Sequence, residues 1–244
     1  FGWQLICVKS RVIQEKDMLM PALRDDIDPD GLLEYSVVFS DRSLNSMSDA
    51  FGRVMRDIAR IMRNAYGAAS VAVVPGGGTY GMVALARQFA TDARVLVIRN
   101  GWFSYRWTQI FEAGNIPASH TVMKARRAEL GSQEPFAPAP IDDVVATISE
   151  EKPAVVFAPH VETSAGMILP DDYISALADA VHEFGGLLVL DCIASGAIWV
   201  DMAATGVDVL ISAPQKGWSG SPCAGLVMLS ERGHDRLMKT HSSS

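Results

Sequence analysis

Two side chains with the means to do covalent and electrostatic chemistry stand at the ends of apolar runs. Leu187-Leu188-Val189-Leu190 closes on Asp191, and Val209-Leu210-Ile211 leads into Ser212-Ala213-Pro214-Gln215-Lys216-Gly217. A carboxylate at the end of a buried strand needs a partner, because burying a bare charge is costly. A protonated ring nitrogen would serve, and the pairing would make that ring a better electron sink. A lysine placed where apolar residues converge is suited to act as a nucleophilic amine. Each has a plainer reading: Asp191 as the cap of the next turn, Lys216 as a solvated loop residue.

Three more segments carry functional residue types. Pro75-Gly76-Gly77-Gly78-Thr79-Tyr80-Gly81-Met82 joins an apolar strand to a helix. Its glycines let backbone approach a ligand, and free N–H groups at a helix start bind phosphate. It has neither the Walker Gly-Lys-Ser/Thr ending nor the GxGxxG spacing, and a flexible turn would look the same. Asn100-Gly101-Trp102-Phe103 offers aromatics that could stack on a planar ring or simply pack. His160-Val161-Glu162-Thr163-Ser164-Ala165-Gly166 offers hydroxyls that could donate to a phenolate oxygen or cap a turn. A lone His such as His160 reads as structural. Each segment alone is weak. Their order, from glycine-rich loop through aromatic, hydroxyl pair and Asp to Lys, supplies what pyridoxal 5′-phosphate (PLP) needs: a phosphate cup, a ring stacker, a pyridine-nitrogen partner and an amine.

The elements between these segments bring them together. Residues 21–45 read as loop, broken by Pro21, Asp28-Pro29 and Gly31. Ser46 or Ser48 could cap a helix to Tyr66, with Phe51, Met55, Ile58 and Met62 at three- and four-residue steps and Gly67 as its stop. Strands are expected at 71–74 (buried), 94–98, 120–123, 154–158, 187–190, 209–212 and 226–229. Helices are expected at 78–89, 103–112 (closed by Gly114), 141–150 and 171–184. Such alternation predicts an α/β fold with a mainly parallel sheet flanked by helices in three layers. In such sheets ligands sit beyond the carboxyl ends of the strands, where all five chemical segments fall.

Bulk properties narrow the function class. The chain has 244 residues, 49% hydrophobic and 20% charged, which suits a sheet covered on both faces. With 21 basic against 28 acidic residues the formal net charge is −7, and no basic run exceeds Lys124-Ala125-Arg126-Arg127. Nucleic acid is therefore a poor partner. Cys7, Cys192 and Cys223 show neither CxxC spacing nor an even framework, so no metal site or structural disulfide is expected, and a reducing cytoplasm fits. No apolar run reaches the length of a membrane span. Residues 1–26 form an atypical segment, with Met20 read as the natural start, and residues 27–244 form the main domain.

From about Gly31 to Arg232 the sequence resembles the class V aminotransferases of PLP fold type I, the alanine–glyoxylate and serine–glyoxylate group especially. Glu162-Thr163-Ser164-Ala165-Gly166, Asp191-Cys192-Ile193-Ala194-Ser195-Gly196 and Ser212-Ala213-Pro214-Gln215-Lys216-Gly217 carry the resemblance. It implies roles by position. Gly77, Gly78 and Thr79 match the phosphate loop, and Phe103 the ring-stacking aromatic, with Trp102 a near rival. Ser164 or Thr163 matches the hydroxyl at the cofactor, Asp191 the pyridine-nitrogen partner, and Ile193 the residue on the other ring face. Gln215 matches a phosphate contact and Lys216 the Schiff-base lysine.

The implied activity is amino transfer from a small amino acid such as alanine or serine to a 2-oxo acid such as glyoxylate or pyruvate, by a cytoplasmic homodimer. Family members continue for more than a hundred residues past the lysine, into a small domain with a carboxylate-gripping arginine. Here Ser244 follows Lys216 by 28 residues. The reading is therefore a large domain without its C-terminal small domain, not competent as it stands. Arg232 and Arg236, the only arginines after the lysine, are expected on a helix away from the site. Two alternatives stand beside transamination: other fold type I chemistry, such as elimination or desulfuration, and an inactive PLP-binding fragment. Desulfuration needs a mobile cysteine, whereas Cys223, seven residues after Lys216, is expected to be packed.

Overall fold

The computed structural model describes residues 49–127 and 133–240. Contacts divide the chain after Arg53. Of the first unit only residues 49–53 are described, so the expectations about residues 1–26, Met20, Cys7 and the Ser46 or Ser48 cap lie outside the described residues. The second unit, from Val54, carries the rest.

Its elements alternate in the expected way. Helix α1 (Asp49–Tyr66) leads to β1 (Ser70–Pro75), α2 (Gly78–Ala90), β2 (Arg94–Arg99), α3 (Tyr105–Gly114) and β3 (Ser119–Lys124). Two short strands, β4 (Arg126–Arg127) and β5 (Phe136–Ala137), precede α4 (Ile141–Glu151) and β6 (Val155–Pro159). A small hairpin, β7 (Val161–Glu162) and β8 (Met167–Ile168), precedes α5 (Asp171–His182) and β9 (Leu187–Asp191). Helix α6 (Met202–Thr205), β10 (Val209–Ser212), β11 (Ala224–Leu229) and α7 (Glu231–Leu237) complete the order.

Seven strands form one sheet in the order β1-β11-β10-β9-β6-β2-β3. The neighbours from β10 to β3 are parallel, and β11 runs antiparallel to both β10 and β1. The central strands are buried on both faces, which explains their unbroken apolar runs. The pleat divides the core in two. Leu96, Ile98, Val156, Leu188, Leu190 and Leu210 face α1, α4 and α5, meeting Met62, Ile148 and Leu177. Val95, Val97, Phe157, Val189 and Ile211 face α2 and α3, meeting Leu85, Phe89, Trp107 and Phe111. Each such side chain contributes about 1.5–3 kcal/mol on burial, so the layers hold the strand ends in a fixed relation.

Two expectations need correction. The first strand is not buried: β1 lies at the sheet edge and is only partly covered. Helix α3 is not closed by Gly114, which is its last residue; Asn115 takes the left-handed conformation (φ 47°) and caps it. Asparagine tolerates that conformation nearly as glycine does. No helix among the described residues is long and apolar enough to cross a membrane.

Candidate active site

The parallel strands deliver their carboxyl ends to one edge of the sheet, and the five segments meet there. A cavity of about 490 Å³ is lined by Gly77, Gly78, Thr79, Phe103, Thr163, Asp191, Ile193, Gln215 and Lys216, together with Arg106. Nine of the ten residues singled out from sequence thus share one space. Ser164 does not. Its hydroxyl donates to Glu162 Oε1 at 2.6 Å and accepts from Trp102 N at 2.8 Å, so it ties two loops together. Phe103 lies on the turn before α3 and faces the cavity, whereas Trp102 lines a different one.

Close backbone contacts build the cavity wall. After β1, Gly76 turns the chain with φ 119°, a region that favours glycine. A Cβ on Gly78 would come within 2.7 Å of Ile193 Cδ1, whereas one on Gly77 would meet nothing within 4 Å. The loop therefore closes on Ile193 while leaving Gly77 open. No side chain caps the α2 amino terminus, so its N–H groups stay available to an anion. Arg106 Nη1 donates to Thr79 Oγ1 at 3.3 Å and adds a positive charge. Sequence reading missed Arg106; its position two residues past Ser104, in the first turn of α3, was the available signal.

Lys216 sits on the turn after β10, exposed rather than enclosed by apolar side chains as expected. Behind it, a Cβ on Gly217 would overlap the Gly196 carbonyl, so the lysine turn rests directly on the Asp191–Gly196 turn. Pro214 O accepts from Gly220 N at 2.8 Å and closes the lysine turn.

Asp191 is buried and accepts from Ile193 N at 2.9 Å. Burial, with help from the charge of Glu162, outweighs that bond and raises its pKa to about 6. No basic side chain among the described residues pairs with it. A buried carboxylate on the wall of this cavity that neither Lys216 nor Arg106 pairs with fits a ligand that brings its own cationic N–H. Together with the open Gly77 and uncapped α2, this donor and acceptor set fits PLP.

Glu162 was quoted only as part of a motif, yet it organises the site. Fully buried, it accepts from Phe103 N (3.1 Å), Ser104 N (2.9 Å), Ser104 Oγ (2.6 Å) and Ser164 Oγ (2.6 Å). Burial alone would raise its pKa, but the bonds from Ser104, Ser164 and the backbone win and leave it lowered. His160 is buried, its Nδ1 bonded to Ser195 Oγ at 2.7 Å and its backbone N donating to Asp191 O. Burial lowers its pKa, consistent with a structural neutral ring.

Cys223 is exposed, not packed as expected, because the turn after Pro222 leaves it outside the sheet; it does not line the cavity. Arg232 lies 3.6 Å from Asp208 and Arg236 donates to Gly185 O at 2.7 Å, both away from the cavity. Among the described residues no group of three metal-ligating side chains is placed to hold an ion.

No family model matches the chain. It is 32% identical over 193 residues, 77% of its length, to the 2-aminoethylphosphonate–pyruvate transaminase of Burkholderia pseudomallei. The alanine–glyoxylate aminotransferase structure from Nostoc sp. superposes with a TM-score of 0.67 at 25% identity, over 80% of this chain and 50% of that one. The subgroup IV aspartate aminotransferase structure from Thermus thermophilus gives a TM-score of 0.64 at 30% identity, over 80% and 52%. The chain spans about half the length of the curated relatives it matches, 49% in the Burkholderia case. The shared sheet and this level of identity over most of the chain place it in the class V family of PLP-dependent aminotransferases, with the α/β sheet of fold type I.

Proposed function

We propose that this chain binds PLP in the 490 Å³ cavity and contributes to amino transfer from a small amino acid to a 2-oxo acid such as pyruvate or glyoxylate. The observation that carries the reading is the meeting of Lys216 and the buried, unpaired carboxylate of Asp191 in one space. The Burkholderia relative is named for pyruvate and the Nostoc structure for alanine and glyoxylate, which supports that substrate class. The homodimer and cytoplasmic location implied by the resemblance belong to the same proposal.

The roles follow from position. The N–H groups at Gly77, Gly78 and Thr79 bind the phosphate, with Arg106 and Gln215 beside them. Phe103 and Ile193 hold the two ring faces. The Thr163 hydroxyl donates to the phenolate oxygen, and Asp191 holds the positive charge of the ring nitrogen by a charge-assisted bond. Bound there, PLP supplies an electron sink for the substrate's α-carbon. Lys216 Nζ provides the amine that anchors the cofactor and the base that moves the α-proton.

One experiment tests this reading. Purified chain incubated with PLP should gain an absorbance band near the visible edge that borohydride removes, leaving the cofactor attached at Lys216. A band that persists in Lys216→Ala with the same borohydride response would refute the assignment.

A further inference from the structure

Beside the proposed cofactor cavity lies a second one of about 500 Å³, lined by Arg99, Asn100, Trp102, Tyr105, Lys124 and Ser164 among others. The Asn100–Trp102 and Ser164–Ala165 segments contribute to its wall. Arg99 and Lys124 are directly paired in the parallel register of β2 and β3, so both charges leave the same edge side by side. Like charges directly opposite on neighbouring strands are destabilising. Among the described residues no acidic side chain lines the cavity, and neither cation has an ion pair. The Arg99 guanidinium instead lies over the Tyr105 ring, 4.9 Å from its centroid. Asn100, 3% exposed and on the same wall, has a buried Oδ1 without a hydrogen-bond partner.

We propose that this cavity is a binding site for a small dianion of the phosphate or phosphonate class, held between Arg99 and Lys124. In a chain of net charge −7, two adjacent unpaired cations facing one pocket form a local positive field. A dianion balances both, whereas a carboxylate would balance one. Tyr105 and Trp102 wall its organic part. The site is separate from the proposed PLP cavity, but Trp102 and Ser164 line one while their chain neighbours Phe103 and Thr163 line the other. Occupancy is thereby placed to be felt by the loops of the first.

Titration calorimetry of the PLP-saturated chain with methylphosphonate tests this, with acetate as the carboxylate arm. The expected result is saturable one-to-one binding of methylphosphonate, much weaker binding of acetate, and a loss of about tenfold or more in affinity in both Arg99→Gln and Lys124→Gln. Lys216→Ala should bind it unchanged. A second readout needs no ligand: Lys124→Gln relieves the like-charge pair, so its Tm in phosphate-free buffer should rise, while methylphosphonate should raise the wild-type Tm more than the variant's. Absence of saturable binding, equal binding of acetate, or affinity unchanged in both variants would each overturn the proposal. Should Arg99→Gln fold poorly for want of its Tyr105 contact, Lys124→Gln decides alone.

Discussion

Replacing Asp191 by Asn isolates the electrostatic cost of the site before any cofactor binds. The carboxylate's pKa is raised from 3.8 to about 6 by burial. In the unfolded chain the group ionises through its ordinary range, while in the folded chain it holds its proton until about pH 6. Between those values the folded state binds more protons, so stability is highest below the unfolded pKa, falls as pH rises, and levels off above the folded pKa. A gap of about two units is worth about 3 kcal/mol, or about 6–12 °C in Tm for a body of this size. Asn keeps the acceptor for Ile193 N and cannot ionise, so the variant should lack this loss. The assay is urea denaturation of cofactor-free wild type and Asp191→Asn from pH 4 to 8. Subtracting the two curves cancels other titrating groups, since distant sites add. Saturating PLP should abolish the wild-type fall, because the ring cation compensates the charge, and should stabilise the variant less. Identical pH dependence in the two proteins would refute the buried, unpaired carboxylate. A fall that PLP leaves intact would refute its role as ring partner.

Further expectations concern the supports of the cavity. Lys216→Ala should fold normally, with an unchanged Tm, but should lose the borohydride-reducible absorbance band that PLP gives the wild type. Gly217→Ala forces a methyl onto the Gly196 carbonyl; it should cost about 1–3 kcal/mol in urea denaturation and weaken PLP affinity by displacing Lys216. Glu162→Gln removes an acceptor of four short bonds, two from hydroxyls, and should cost about 3 kcal/mol at pH 7. Because the folded pKa of Glu162 is lowered, the wild-type advantage should be present above the ordinary carboxylate range and vanish as pH falls through the folded pKa. Denaturation at pH 7 and pH 3 checks both signs.

The sheet was legible because burial on both faces leaves a plain trace. Runs such as Leu187–Leu190 and Val209–Ile211 admit few readings once helices are seen between them, and their ends point to the site. Less regular pieces left no such trace. The hairpin of β7 and β8 has two residues per strand, too few for alternation to register. The exposed edge position of β1 depends on β11 inserting antiparallel between it and β10, a long-range pairing that local pattern does not encode. Phe103 and Trp102 could not be separated by type or spacing, since only the turn before α3 decides which faces the cavity. Ser164 was chosen for its hydroxyl, which the carboxylate two residues earlier takes up. Arg106 was passed over because a single arginine in a helix is ordinarily a surface residue.

The site's order comes more from backbone contact than from side-chain packing. Gly217 rests on Gly196, and Gly225 approaches Gly81 closely enough that a Cβ there would lie 3.0 Å from its Cα. A Cβ on Gly101 would lie 2.7 Å from Glu162 Cγ. Such contacts leave no slack for a turn to rotate independently, so the lysine turn, the aspartate turn and the phosphate loop share one rigid frame. That frame explains how an exposed lysine can still be positioned: the precision lies in its Cα, fixed by Pro214, Gly217 and Gly220, while its flexible stem is left free to reach. The same logic explains Glu162. A fully buried carboxylate is costly unless its lone pairs are used, and here donors from two segments, Phe103-Ser104 and Ser164, use them, so the loops bearing Phe103 and Thr163 cannot separate without exposing it. Cofactor affinity should therefore respond more to substitutions at these glycines and at Glu162 than to conservative changes in the apolar layers, where Leu or Ile swaps of equal volume are tolerated.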